Sequence, residues 1–85
     1  SALSEFSRYY LQVAAFSSLE AAQSLQNRLL DHLNSLSQPV NVVIRPSERG
    51  VYRVRIGPFS SEQESLTFKK ISELQSFGKM YLISE

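Results

Sequence analysis

Four of the six arginines, Arg45, Arg49, Arg53 and Arg55, fall within eleven residues in which Glu48 is the only acid. A guanidinium is a planar fork of donors that matches a carboxylate or a phosphate. Gln12 adds an amide that both donates and accepts, and Tyr10 and Tyr81 add rings with a polar tip. Held on one surface, these groups suit an extended polar polymer that carries intermittent negative charge. They equally suit an ordinary solvated sheet face, where Arg and Gln are common. The local structure that positions them decides between the two.

Tyr9 to Phe16 alternates as a strand, with Leu11, Val13 and Ala15 on one side and Tyr10, Gln12 and Ala14 on the other. Ser17 followed by Glu20 forms a capping box, and a helix is predicted to about Leu36. Its stripe of Leu19, Ala22, Leu25, Leu29, Leu33 and Leu36 must cover a sheet. Val40 to Arg45 is a second strand, with Val40, Val42 and Ile44 inward and Asn41, Val43 and Arg45 outward. Pro46 to Gly50 reads as a hairpin loop. Val51 to Ile56 returns as a third strand, with Val51, Arg53 and Arg55 facing out. Gly57-Pro58 is expected to break it. Ser60 or Ser61 caps a second helix to about Phe77, with Phe68, Ile71 and Leu74 inward. Lys79 to Ile83 is the last strand, placing Tyr81 on the outer side.

The run Leu11-Gln12-Val13-Ala14-Ala15-Phe16-Ser17-Ser18 is echoed 43 residues later by Val54-Arg55-Ile56-Gly57-Pro58-Phe59-Ser60-Ser61. A strand-to-helix unit used twice implies two halves sharing one sheet. The predicted fold is α+β and ferredoxin-like (RNP-like), βαββαβ, a four-stranded antiparallel sheet with both helices on one face. Residues 1–8 read as a linker or N-terminal extension and 9–85 as the domain. Eighty-five residues suffice for one modest core, burying about 60–65% of the unfolded surface. The other sheet face is therefore left open, and the outward side chains meet there.

The remaining composition excludes more than it assigns. The net charge of +1 gives no global field for nucleic acid or membrane. The absence of Cys removes disulfides and thiolate metal sites, and no apolar run approaches a membrane span. His32, the single histidine, lies mid-helix beside Asp31 with no second imidazole or carboxylate cluster and reads as solvent-facing. The serine pairs are better helix caps than nucleophiles, and Glu62 and Glu64 complement a helix N-terminus. No catalytic residue, cofactor or metal is expected. This is a binding domain.

Tyr10-Leu11-Gln12-Val13-Ala14-Ala15-Phe16 resembles the opening signature of the SPOR (sporulation-related repeat) family. Tyr52-Arg53-Val54-Arg55-Ile56-Gly57-Pro58-Phe59, followed by Ser60 and acidic residues, resembles its second signature, so the likeness runs from about Tyr9 to Ile83. The resemblance implies a bacterial peptidoglycan-binding module, probing glycan strands stripped of stem peptides at the division septum, in the periplasm or cell envelope. It also implies contacts on the sheet face, with Gln12 at the first-strand amide and Ala15 at the small residue near the strand end. Val51 departs from the often aromatic start of the third strand, leaving Tyr10 or Tyr81 to substitute. The expected glycan-binding set is Tyr10, Gln12, Ala15, Asn41, Val43, Arg45, Val51, Arg53, Arg55 and Tyr81. A monomer not inserted in the membrane is expected, on a parent protein left open between a division component, a lytic transglycosylase and an amidase.

Two other readings share the strand order. An RNA-binding module would need aromatics where this chain has Val51 and Arg53, and stacked bases would lose about 1–3 kcal/mol each without them. A protein-interaction domain that dimerises through its sheet would prefer apolar residues over the exposed Arg and Gln.

Overall fold

The alternating runs close into a single sheet. The structure, a computed structural model, describes residues 8–35, 40–74 and 78–85. Its elements are β1 (Tyr9–Phe16), α1 (Leu19–Ser35), β2 (Asn41–Pro46), β3 (Tyr52–Phe59), α2 (Glu62–Leu74) and β4 (Tyr81–Ser84). The strands are antiparallel in the order β2-β3-β1-β4, with the ferredoxin-like topology expected from the repeated unit. The short axis of 19 Å is that of a sheet with one helical layer on it.

One core joins the layers. Leu11, Val42, Val54, Ile56 and Phe59 from the sheet meet Ala22, Leu29 and Leu33 of α1 and Phe68 of α2, with Met80 closing one side. The Phe59 and Phe68 rings lie 5.4 Å apart in a tilted pair. Gln26 Nε2 donates to the Val42 carbonyl at 2.8 Å, tying α1 to β2. No helix among the described residues is long and apolar enough to cross a membrane.

Several local expectations are corrected. β3 does not stop at Gly57-Pro58 but continues to Phe59, through a cis Gly57–Pro58 bond. The ladder absorbs the irregularity by a shift in which β3 carries an extra residue between Ile56 and Phe59. A second shift lies between Gln12 and Ala14, where two steps of β1 meet one step of β3. This bulge leaves Val13 as the extra residue and reverses the alternation beyond it. Val13 still packs on the core, but Ala15, expected inward on strict alternation, is exposed and lies opposite Arg53.

The helices differ in phase and capping. Ser18, rather than Ser17, caps α1, accepting the Ala21 N–H at 3.3 Å, and Leu19 is 43% exposed. Leu36 and residues 75–77 lie outside the described ones. Among the described side chains of α2, Ser65, Phe68 and Ser72 are buried, while Ile71 is 48% exposed. Among those side chains the inward face follows these three and not Ile71. Ser61 caps α2, its Oγ accepting the Glu64 N–H at 3.1 Å, and Ser60 donates to the Glu64 carboxylate. Ser61→Ala is expected to destabilise the fold by about 1 kcal/mol. Urea unfolding checks this as a lower midpoint at unchanged slope.

Candidate functional site

Residues that oppose one another across an antiparallel ladder share a face. The register therefore sets Gln12 and Val43 on either side of Arg55, and Ala15 and Arg45 on either side of Arg53, away from the helices. On β4, Tyr81 opposes Gln12 and Ile83 opposes Tyr10. Asn41 is exposed and opposes Gly57, with its Oδ1 accepting the Val42 N–H at 2.8 Å. Val51 lies just before β3 instead of inside it, half-buried, its N–H donating to Ser47 Oγ at 3.2 Å. Gly50, at φ +74, makes the turn that brings it there. The open face thus gathers the expected residues from all four strands, with Val51 at its rim.

The guanidiniums on that face are not equivalent. Arg45 donates to Oε1 of Glu85 from Nη2 at 2.8 Å and from Nε at 3.2 Å. Arg55 donates from Nη1 to the other oxygen, Oε2, at 2.8 Å, and from Nε to Oε1 of Gln12 at 3.1 Å. One carboxylate thereby bridges two arginines from neighbouring strands. The hydrogen bond from Arg45 holds the Glu85 carboxyl below the usual carboxylate range, outweighing desolvation, and the charges of Arg45 and Arg55 act in the same direction. Arg53 makes no hydrogen bond or ion pair among the described residues, and it stands beside the smallest side chain of the face, Ala15. Arg45 and Arg53 are directly opposed like charges, an arrangement that costs stability unless an anion intervenes.

Tyr10 is corrected from an exposed platform to a supporting one. It is only 4% exposed, and its ring packs over the backbone of Gly57. Arg45 lies above that ring with Cζ 5.5 Å from the centroid, and its Nη2 donates to the Tyr10 hydroxyl at 3.3 Å. A cation over an aromatic face is held electrostatically. Tyr10 therefore aims Arg45, while Tyr81, 60% exposed, is the aromatic ring offered to solvent.

Two residues of the face were not anticipated. Ile83 and Glu85 continue the alternation of Tyr81, Ile83 inside the expected last strand and Glu85 beyond its expected end. The backbone of Glu85 exchanges hydrogen bonds with Arg8 at 2.8 and 2.9 Å, which extends the ladder by one pair. Elsewhere, a groove of about 370 Å³ lies along α2, lined by Phe59, Thr67, Phe68 and Ile71 among others. It holds no array of charged donors. Among the described residues no group of three His, Cys, Asp or Glu is placed to hold a metal.

Comparisons with known proteins agree with this geometry. A family model described as SPOR domain matches residues 5–79. The crystal structure of the RlpA SPOR domain from Pseudomonas aeruginosa is similar at a TM-score of 0.65 and 28% identity, over 88% of this chain and 96% of that one. The solution structure of the peptidoglycan binding domain of the B. subtilis cell wall lytic enzyme CwlC is similar in fold, at a TM-score of 0.68 and 24% identity. That match covers 93% of this chain and 90% of the other. No curated protein matches the chain significantly.

Proposed function

The chain belongs to the SPOR domain family, and from that premise we propose that it is a non-catalytic module that binds bacterial peptidoglycan through its open sheet face. We assign it to glycan strands stripped of stem peptides, by which it carries its parent protein to the division septum in the cell envelope. The observation that carries this reading is the convergence of Arg45 and Arg55 on one carboxylate beside Arg53, which has no hydrogen-bond or ion-pair partner among the described residues. The face already holds one carboxylate, that of Glu85, which supports a face suited to carboxylates.

The ligand chemistry fits that arrangement. When an amidase removes a stem peptide, each N-acetylmuramic acid regains a free lactyl carboxylate. In intact strands the same group is an amide, and a bulky peptide projects from it. Guanidiniums therefore meet a charge that only the stripped polymer carries, at about 1.5–3 kcal/mol per charge-assisted hydrogen bond where partly shielded. A broad sheet face also leaves no cleft for the branches of an intact strand, which adds exclusion to attraction. Gln12 and Tyr81 supply an amide for N-acetyl or hydroxyl groups and a ring for a pyranose face. The domain acts as a monomer, because a face of Arg and Gln does not pair with its own copy.

Sedimentation of the purified domain with sacculi tests the assignment. Amidase-treated sacculi are expected to retain it at least about tenfold better than untreated ones, the equivalent of one shielded charge-assisted bond. Equal retention on both would overturn the preference for stripped strands. Retention on neither, together with a gel shift by a generic single-stranded RNA, would replace the reading with nucleic-acid binding.

A further inference from the structure

Glu85 places a carboxylate between two guanidiniums of the open face. Its two oxygens take one arginine each, at 2.8 Å from Arg45 and 2.8 Å from Arg55, and the Arg45 guanidinium is backed by the Tyr10 ring. The side chain is delivered there deliberately by the ladder, since its backbone is bonded to Arg8 on both sides of the pair. It is not sealed in: 33% of the Glu85 side chain and 43% of that of Arg45 remain exposed, against 15% for Arg55. Exposed ion pairs exchange with solvent and hold only weakly.

We propose that Glu85 is an internal competitor that occupies a carboxylate subsite formed by Arg45, Arg55 and Tyr10 and must be displaced by an incoming carboxylate. The proposal rests on the glycan-binding reading above for the identity of that carboxylate, a lactyl group, but not for the existence of the subsite. Arg53, opposite Arg45 and without a partner among the described residues, offers a first landing point, and the exchange at Arg45 and Arg55 follows. Glu85 thereby makes the arginine pair selective. A neutral sugar or an amide has nothing to replace the carboxylate with, so it leaves Glu85 in place and gains no contact with either guanidinium. An isolated small anion must also compete against a tethered one, whose effective concentration at the site is high.

The decisive experiment compares wild type with Glu85→Gln, which keeps the shape and removes the charge. Glu85→Ala serves as the second variant. Both should bind a purified stripped glycan oligosaccharide roughly three- to thirtyfold more tightly, from the release of two partly exposed pairs. Neither should gain affinity for the same oligosaccharide with its carboxylates converted to methyl esters. A second readout needs no glycan: the arginine Nε–H resonances of Arg45 and Arg55, titrated with sodium lactate at constant ionic strength. Lactate should shift them in Glu85→Gln and barely in wild type, with sodium chloride giving no comparable shift. Where wild type binds the oligosaccharide, unchanged or weaker binding by both variants would overturn the proposal, as would arginine signals indifferent to lactate. If lactate shifts the arginines but no protein binds the oligosaccharide, the subsite stands and the glycan reading falls.

Discussion

The double variant Arg53→Glu/Arg55→Glu is expected to bind amidase-treated sacculi at least about a hundredfold more weakly than wild type. Each arginine can give a ligand carboxylate a charge-assisted hydrogen bond of about 1.5–3 kcal/mol, and a hundredfold corresponds to about 2.7 kcal/mol. Losing both bonds reaches that figure even after solvent screening, and reversal of sign adds repulsion. The two positions should separate in single variants. Arg53 has no internal partner among the described residues and opposes Arg45 on β2. Arg53→Glu should therefore weaken binding while leaving the urea midpoint unchanged or slightly raised. Arg55 is more shielded and bonds both Gln12 and Glu85, so Arg55→Glu should weaken binding and stability together. Arg49→Glu is the control, because Arg49 is exposed in the hairpin, outside the four strands; its binding should stay within about twofold. If affinity for stripped strands survives the double reversal, the guanidiniums are not the recognition element.

What the sequence disclosed, and what it hid, follow from how each feature is encoded. Strand order and helix placement were legible because the burial pattern repeats: Val42 and Ile44, then Val54 and Ile56, alternate at the period of a strand and oppose one another pair by pair. The outward set on β2 and β3 was legible for the same reason, since alternation that turns Val54 to the core must turn Arg53 and Arg55 to the other face. The β1 phase beyond Gln12 was not, because a bulge is one extra residue and carries no composition of its own. It turned Ala15 from the inward set to a place beside Arg53. The role of Tyr10 was hidden differently. Its burial depends on Gly57, 47 positions away, and on an arginine from a third strand, which no local window contains. Glu85 was missed by a boundary of two residues at the last strand, and with it the ion pairs that organise the face. On α2 the inward Phe68 was legible, but hydrophobicity also favoured Ile71, which is exposed while Ser65 and Ser72 are buried.

The dependence of the face on a residue with no side chain leads to the other large effect. Gly57→Ala is expected to destabilise the domain by about 2–5 kcal/mol, combining overpacking with an unfavourable backbone conformation. Gly57 has φ +151, within the region that side-chain-bearing residues avoid. A Cβ there would lie 2.7 Å from Cδ1 of Tyr10 and 2.9 Å from the carbonyl oxygen of Tyr9. The second contact is with backbone inside the β1–β3 ladder, so a rotamer change cannot relieve it. The first would push the Tyr10 ring off β3, and Arg45 would lose both its aromatic support and the hydroxyl acceptor at 3.3 Å. Stability and recognition should therefore fall together: a lower urea midpoint, and weaker retention on amidase-treated sacculi even where circular dichroism shows the variant folded. Tyr10→Ala in the Gly57→Ala background distinguishes the two clashes. If the ring is the main obstacle, the second substitution should recover part of the midpoint without recovering binding, because Arg45 still lacks its support. If the backbone contact dominates, no midpoint is recovered. A Gly57→Ala domain as stable as wild type would mean that Tyr10 does not rest on this glycine, and the aiming of Arg45 would need another cause.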